Sequence, residues 1–237
     1  MIPKGASDLQ ISISGSKSES NRALILQAFA SDRIVIENLS DSDDTRALIQ
    51  ALELAHESSG SSAEIKIDCG HAGSTFRFLT AYFAGLAGIE IILTGSEQLQ
   101  QRPMAPLIAA LQAMGADITY LAHPGFAPIR ISGKNLQASN AIEIDSSKSS
   151  QYVSALLLIG SQLAGGLNLH LSQSRVSNAY IQMTIALLKQ AGINVSDQQE
   201  NLIIAEQKIQ GHSFYIEPDW SSASYWYAIK ALGYSGK

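Results

Sequence analysis

Lys17, Ser18 and Arg22 stand where an apolar helical stretch opens, in "GSKSESNRALILQAFA" from Gly15. A helix start leaves backbone N–H groups unpaired and carries a partial positive charge. Hydroxyls and cations placed there make a ready anion site. Ser18 and Arg22 are four residues apart and share one face once the helix is running. An arginine grips phosphate or carboxylate with two parallel hydrogen bonds, and a lysine acts as a point charge. The plainer alternative makes Ser16 or Ser18 an N-cap only and Arg22 a solvated surface residue. The G-x-x-x-x-G-K-[ST] spacing of a P-loop is absent.

Three further segments carry the same residue types. In "CGHAGSTFRFL", Gly70 and Gly73 permit close backbone approach, and Ser74 and Thr75 add hydroxyls. Arg77 there fits either a ligand contact or a structural ion pair, and His71 either a base or an incidental loop residue. In "LTGSEQLQQRPMAPL", Pro103 holds Arg102 extended or in a turn, as a ligand or simply solvated. "DSSKSSQYVSALLL" sets four serines, Lys148 and Gln151 before an apolar helix, as expected of a polyol or phosphate cradle. "SRVSNAYIQMTIALL" adds Arg175, Ser177 and Tyr180 at another helix start. Lys17, Arg22, Arg77, Arg102, Lys148 and Arg175 are thus in loops or first turns, out of 16 Lys and Arg in the chain. Loops gathered at one end would focus positive field on one cleft, and the ligand would be small and multiply anionic. No metal-ligand spacing and no Ser-His-Asp or Cys-His arrangement is present.

The elements that must position these loops follow from pattern. The loop-then-helix design occurs four times, at Gly15, Gly70, Ser146 and Pro218, the last three about 75 residues apart. A second recurring piece is an amphipathic helix that closes on glycine and leads into a strand. "LIAALQAMGADITYL" and "IALLKQAGINV" predict left-handed caps at Gly115 and Gly192, and "RALIQALELAHESSGSSAEIKI" is a looser copy. Short strands are expected at "LQISI", "RIVIENL", "IEIILTG" and "PIRISG". The sum is a strand–helix–strand–helix–strand–strand unit used about three times, packed into one α/β body.

Composition bounds the rest. The 237 residues are 46% hydrophobic, and 16 Lys and Arg against 21 Asp and Glu give a net charge of -5. That balance argues against nucleic-acid and membrane-surface binding. One cysteine, Cys69, excludes an internal disulfide and suits a reducing cytoplasm. "MIPKGASDLQ" shows no signal pattern, and no apolar run approaches the ~18 residues of a membrane span. A cytoplasmic location is expected.

The motifs "GSKSESNRALILQAFA", "GHAGSTFRFL", "LTGSEQLQQRP", "SSQYVSALLL", "SNAYIQMT" and "DWSSASY" fall in the order seen in the 5-enolpyruvylshikimate-3-phosphate synthases, and the chain resembles that family over its whole length. The resemblance implies an inside-out α/β barrel domain of repeated βαβαββ units. It implies enolpyruvyl transfer from phosphoenolpyruvate to the 5-hydroxyl of shikimate 3-phosphate with release of phosphate, as part of aromatic amino acid biosynthesis. No cofactor and no metal belong to that scheme, and a monomer is expected for a full-length enzyme. Carried over by position, Lys17, Ser18, Arg22, Ser149, Ser150, Gln151 and Ser177 would bind shikimate 3-phosphate, with Tyr180 a weaker candidate. Lys17, Gly73, Arg102 and Gln151 would bind phosphoenolpyruvate.

Departures from the family pattern are His71 for Asn, Ser74 for Thr and Phe78 for Pro or Leu. Gly73 is kept, which implies a glyphosate-sensitive type of pocket. The resemblance places residues 1–13 as a first strand of the other domain, 14–219 as the shikimate-3-phosphate domain and 220–237 as the start of the return. Family members are nearly twice as long, so the reading is a half-enzyme that binds substrate without turnover, with no catalytic residue assigned. The alternatives are a non-catalytic anion-binding module, a UDP-N-acetylglucosamine enolpyruvyl transferase and an RNA-processing cyclase of similar fold. The second has Lys-Asn at the Lys17-Ser18 position and a reactive loop cysteine.

Overall fold

The computed structural model describes residues 11–30, 34–58, 64–138, 140–210 and 213–232. In chain order the elements are α1 (Lys17–Phe29), β1 (Ile36–Glu37), α2 (Asp43–Glu57), β2 (Ile65–Asp68), α3 (Gly73–Ala84) and β3 (Glu90–Thr94). Then come α4 (Glu97–Gln100), α5 (Ala105–Ala113), β4 (Asp117–Tyr120), β5 (Ile129–Ser132), β6 (Ile142–Ile144) and α6 (Ser150–Ile159). The chain continues through β7 (Leu167–Leu171), α7 (Asn178–Gln190), β8 (Val195–Gln198), β9 (Asn201–Ile204), β10 (Phe214–Tyr215) and α8 (Trp220–Ala231).

Alternation fixes which face of each strand is inward. Ile65 and Ile67 of β2 are buried while Lys66 and Asp68 are exposed, and Ile129 and Ile131 of β5 flank the exposed Arg130. Two sheets form with one topology, β2-β3-β5-β4 and β6-β7-β9-β8. In each, the first pair is parallel across a helix (Ile65 opposite Ile91, Ile142 opposite Leu169) and the last two strands are an antiparallel hairpin. These are two complete copies of the expected unit. The third is assembled from distant segments: β1 pairs parallel with β10, with Ile36 opposite Phe214. Of the expected strand "LQISI", Leu9 and Gln10 lie outside the described residues, and Ile11–Ile13 form no strand.

Helices α1, α3 and α6 occupy the interior, one from each unit, and pack on one another with the sheets outside. α3 and α6 are apolar on nearly every face, as a helix without a solvent side must be, and so is the second half of α1. In α3 every residue from Thr75 to Ala84 is buried, and in α6 every residue from Tyr152 to Ile159. Besides two arginines, Arg22 and Arg77, the polar groups that enter are small, and they are paired. Asn21 accepts from the Thr45 hydroxyl at 2.8 Å and donates to Thr75 at 3.3 Å, and Thr80 donates to the Phe76 carbonyl at 2.7 Å. Truncating a core side chain such as Leu156 to alanine would cost about 2–5 kcal/mol. Outer helices α5 and α7 end as their glycines predict, with Gly115 at φ 95° and Gly192 at φ 79°. Among the described residues no helix is long and apolar enough to cross a membrane.

Candidate functional site

The N-terminal ends of all three interior helices open on one cavity of about 800 Å³. From α1 come Lys17, Ser18 and Arg22; from α3 come Ser74 and Arg77; from α6 come Ser150 and Gln151, with Ser149 and Lys148 just before them. Arg102 after α4 and Ser177 and Tyr180 at the start of α7 complete the wall. Asp219, Ser221, Ser222 and Tyr225 close one side from α8.

The helix ends are left open to a ligand. Neither Ser16 before α1, Ala72 before α3 nor Ser177 before α7 caps its helix with a side chain. Ser16 turns its hydroxyl to Asp219 instead, at 2.7 Å. First-turn N–H groups therefore face the cavity with the positive ends of their helices. Ser177 is held left-handed at φ 52°, an uncommon state for a side chain with Cβ and a frequent mark of functional sites. Ser149 caps α6, accepting from Gln151 N–H at 3.2 Å.

Five cations, Lys17, Arg22, Arg77, Arg102 and Lys148, line the cavity against two carboxylates, Asp41 and Asp219. In a chain of net charge -5 that is a local inversion of sign. Lys17 pairs with Asp44 at 3.3 Å and Lys148 sits 3.9 Å from Asp145. Arg22, Arg77 and Arg102 have no carboxylate partner among the described residues.

Arg22 is almost fully buried, and burial pushes its guanidinium down to about 10, so it stays charged at neutral pH. It donates to the Thr184 hydroxyl (2.7 Å), the Ser18 carbonyl (2.6 Å), the Ser154 hydroxyl (2.9 Å) and the Tyr180 carbonyl (3.5 Å). The Phe78 ring lies 5.1 Å away, in cation–π range. A guanidinium has five N–H donors, so one remains for a ligand. Arg22 is thus neither a solvated residue nor a free one; it is wired to α6 and α7 and faces the cavity with what is left.

Arg77 is buried and has no ion pair among the described residues. It donates to the Gly73 carbonyl at 2.9 Å and the Pro103 carbonyl at 3.3 Å and lies over the Tyr152 ring. Burial lowers its pKa, and the charge of Arg102 lowers it further against the opposing effect of Tyr152. Gly73 does not line the cavity but touches its wall. A Cβ there would come within 2.6 Å of Arg102 Nη1 and 2.8 Å of Arg77 Nη1.

Of the sequence-predicted residues, Lys17, Ser18, Arg22, Arg102, Ser149, Ser150, Gln151, Ser177 and Tyr180 share this cavity. Arg175, grouped with the loop cations on sequence, does not. Its fork grips Asp197 at 2.7 and 3.0 Å and it also donates to the Gln199 carbonyl, which fastens the loop before α7 to the hairpin. His71 is exposed outside the lining, with Nδ1 2.8 Å from the Ser96 hydroxyl. Gln151 donates to Ser74 at 3.0 Å, tying α6 to α3 at the cavity wall. Sequence reasoning passed over Ser154, Thr184 and Tyr152. The signal was there in "YVSALLL" and "MTIALL", where a hydroxyl inside an apolar helical run requires a buried partner.

Helices inside, sheets outside and helix starts converging on an anion-seeking cavity define an enolpyruvyl transferase-type α/β domain. EPSP synthase from Acinetobacter baumannii superposes with a TM-score of 0.75 at 20% identity, over 91% of this chain and 51% of that one. The enolpyruvyl transferase NikO from Streptomyces tendae gives 0.59 at 16% identity, over 94% and 55%. The family model for EPSP synthase (3-phosphoshikimate 1-carboxyvinyltransferase) matches residues 4–233, and the chain belongs to that family. A 3-phosphoshikimate 1-carboxyvinyltransferase from Bacteroides fragilis is 44% identical over 223 residues, 94% of this chain and 52% of that protein. The namesake from Vibrio campbellii is 35% identical over 244 residues, 94% of this chain and 57% of that protein. The chain spans about half the length of these relatives.

Cys69 separates the family from the cysteine-dependent alternative. It is buried at the end of β2, and burial pushes its thiol up to about 12. A thiol so placed is neither a nucleophile nor an acid at neutral pH. Among the described residues no group of three His, Cys, Asp or Glu could hold a metal ion.

Proposed function

We propose that this chain is the shikimate-3-phosphate-binding half of a 3-phosphoshikimate 1-carboxyvinyltransferase, which transfers the enolpyruvyl group of phosphoenolpyruvate to the 5-hydroxyl of shikimate 3-phosphate and releases phosphate. The observation that carries this is the convergence of three interior helix N-termini, unpaired arginines and a serine cluster on one cavity. Residues 14–219 form the binding domain, 1–13 belong with a second domain and 220–237 begin the return to it.

Ser149, Ser150 and Ser177 take the 3-phosphate, supported by the uncapped start of α7. Ser18 and Arg22 take the remainder of that substrate, with Tyr180 beside them. Lys17, Arg102 and Gln151 take phosphoenolpyruvate, and Gly73 keeps the backbone of α3 close under Arg102. The protein's contribution on this side of the cleft is positioning and fixed positive field, the terms that gather two anions into reacting distance. A cytoplasmic monomer without cofactor is the matching physiological form.

Calorimetric titration with shikimate 3-phosphate tests the reading, followed by phosphoenolpyruvate and an assay of released phosphate. Saturable binding of shikimate 3-phosphate with weaker or no binding of unphosphorylated shikimate is the expected result. A folded chain that binds neither would overturn it. Phosphate release in the same assay tells whether these 237 residues suffice for turnover.

A further inference from the structure

Arg102 is held in an unfavourable place. Its side chain is exposed and makes no hydrogen bond or ion pair among the described residues. Its Nη1 lies above Gly73, beside the guanidinium of Arg77, at the positive end of α3. Two like charges and a helix dipole repel there with no carboxylate between them. That repulsion pushes the exposed Arg102 side chain away from α3.

Leu99 and Met104 anchor the segment around Arg102 in the core and the Met104 N–H bonds the Gly125 carbonyl at 2.8 Å, but its polar tie to α3 and α6 is a single atom. The Pro103 carbonyl oxygen, directly after Arg102, accepts from the Tyr152 hydroxyl at 2.5 Å and from Arg77 Nη2 at 3.3 Å. Tyr152 is almost fully buried in α6, and Arg77 is rooted in α3 through the Gly73 carbonyl. The Arg77 guanidinium also stacks over the Tyr152 ring, 5.4 Å from its centre. Two core helices from different units therefore grip the same carbonyl.

We infer that Tyr152 and Arg77 are positioning residues for Arg102: their shared hold on the Pro103 carbonyl keeps the Arg102 guanidinium over Gly73, where it receives the phosphate or carboxylate of phosphoenolpyruvate. The anion's identity rests on the proposed function; the hold itself does not. Arg77 touches no ligand in this scheme. Its buried Nε, without a hydrogen-bond partner, marks a guanidinium oriented by the needs of the two carbonyls rather than by its own full satisfaction.

The test is Tyr152→Phe, which removes the hydroxyl and keeps the ring, with Arg77→Lys as the second variant, which keeps the charge and loses the fork. Backbone 15N relaxation at Arg102 reads the hold without any ligand, and the Met104 N–H, bonded to the Gly125 carbonyl, serves as the internal reference. The order parameter at Arg102 is expected to fall from about 0.85 toward 0.6 in either variant. The melting midpoint of Tyr152→Phe is expected to drop by only ~2–4 °C. Calorimetry is expected to show phosphoenolpyruvate binding weakened about 10-fold while shikimate 3-phosphate, held by the serine cluster, binds as before. A merely structural role would weaken both ligands together and leave Arg102 ordered. Unchanged order at Arg102 in a folded variant overturns the inference. A wild-type chain that binds no phosphoenolpyruvate removes that ligand from the proposed function, and the relaxation data still decide the hold.

Discussion

Arg22 Nε and the Thr184 hydroxyl meet at 2.7 Å, joining α1 to α7 beneath the cavity floor. Thr184 in turn reaches Ser154 of α6 at 2.9 Å, so one guanidinium fastens three helices and still faces the ligand. Arg22→Ala should therefore act twice. Shikimate 3-phosphate affinity should fall about 10-fold or more, the loss of a charge-assisted bond of roughly 1.5 kcal/mol or above. Stability should fall by about 2–4 kcal/mol, because buried hydroxyls and carbonyls lose their donor. Calorimetry reads the first and denaturant unfolding the second. A variant with wild-type affinity would remove Arg22 from the site.

Gly73→Ala separates the two ligands. The added methyl would press on the far end of exposed Arg102, which can yield, and on Arg77, which is buried and pinned to the Gly73 and Pro103 carbonyls. Stability should fall by about 1–2 kcal/mol as Arg77 shifts, while phosphoenolpyruvate affinity drops several-fold because the Arg102 guanidinium is displaced. Shikimate 3-phosphate binding should be nearly unaffected. Equal weakening of both ligands would contradict this account of the wall.

Asp219 makes α8 sensitive to acid. Burial raises its pKa, but hydrogen bonds from the Ser222 N–H and the Ser16 hydroxyl outweigh that and hold it below the ordinary carboxylate value. A carboxylate depressed in the folded state contributes its stabilisation fully above the unfolded pKa, and that contribution is lost as pH falls through the lower folded one. Both tryptophans of the chain, Trp220 and Trp226, lie in α8, which buries no residue. Tryptophan emission should therefore report docking of α8 alone. It is expected to change below about pH 4, ahead of the loss of far-UV circular dichroism, and Asp219→Asn should abolish the separate acid step. Coincident transitions in the parent chain would show that Asp219 does not govern the helix.

Cys69 should resist thiol reagents in the native chain. Its burial and raised pKa leave almost no thiolate at neutral pH. Labelling is expected to occur only on unfolding, at a rate that tracks denaturant, and Cys69→Ser should leave ligand binding intact. Rapid labelling of the folded protein would reopen the cysteine-dependent alternative.

Much of the scaffold is local and was legible. The glycine caps at Gly115 and Gly192, the alternation in "IKID" and "IRIS" and the loop-helix openings each depend on residues within a turn or two. The family motifs pointed to Lys17, Ser18, Arg22, Arg102, Ser149, Ser150, Gln151 and Ser177, and the fold brings these to one cavity. The pairing of β1 with β10 was not legible, since two residues at positions 36–37 find their partner at 214–215 and neither stretch announces it. Arg175 shows the opposite failure: its helix-start setting resembles that of Arg22, but Asp197 in the following hairpin captures it.

The sequence by itself determined the repeat, the apolar interior helices and the residue types at their starts, because periodicity, capping and charge are properties of neighbours along the chain. Only the tertiary structure decided which cations remain unpaired, which hydroxyls they meet and that Tyr152 and Arg77 share the Pro103 carbonyl. Those outcomes depend on contacts between units tens to more than a hundred residues apart, where packing sets distances and pairing competes with solvation.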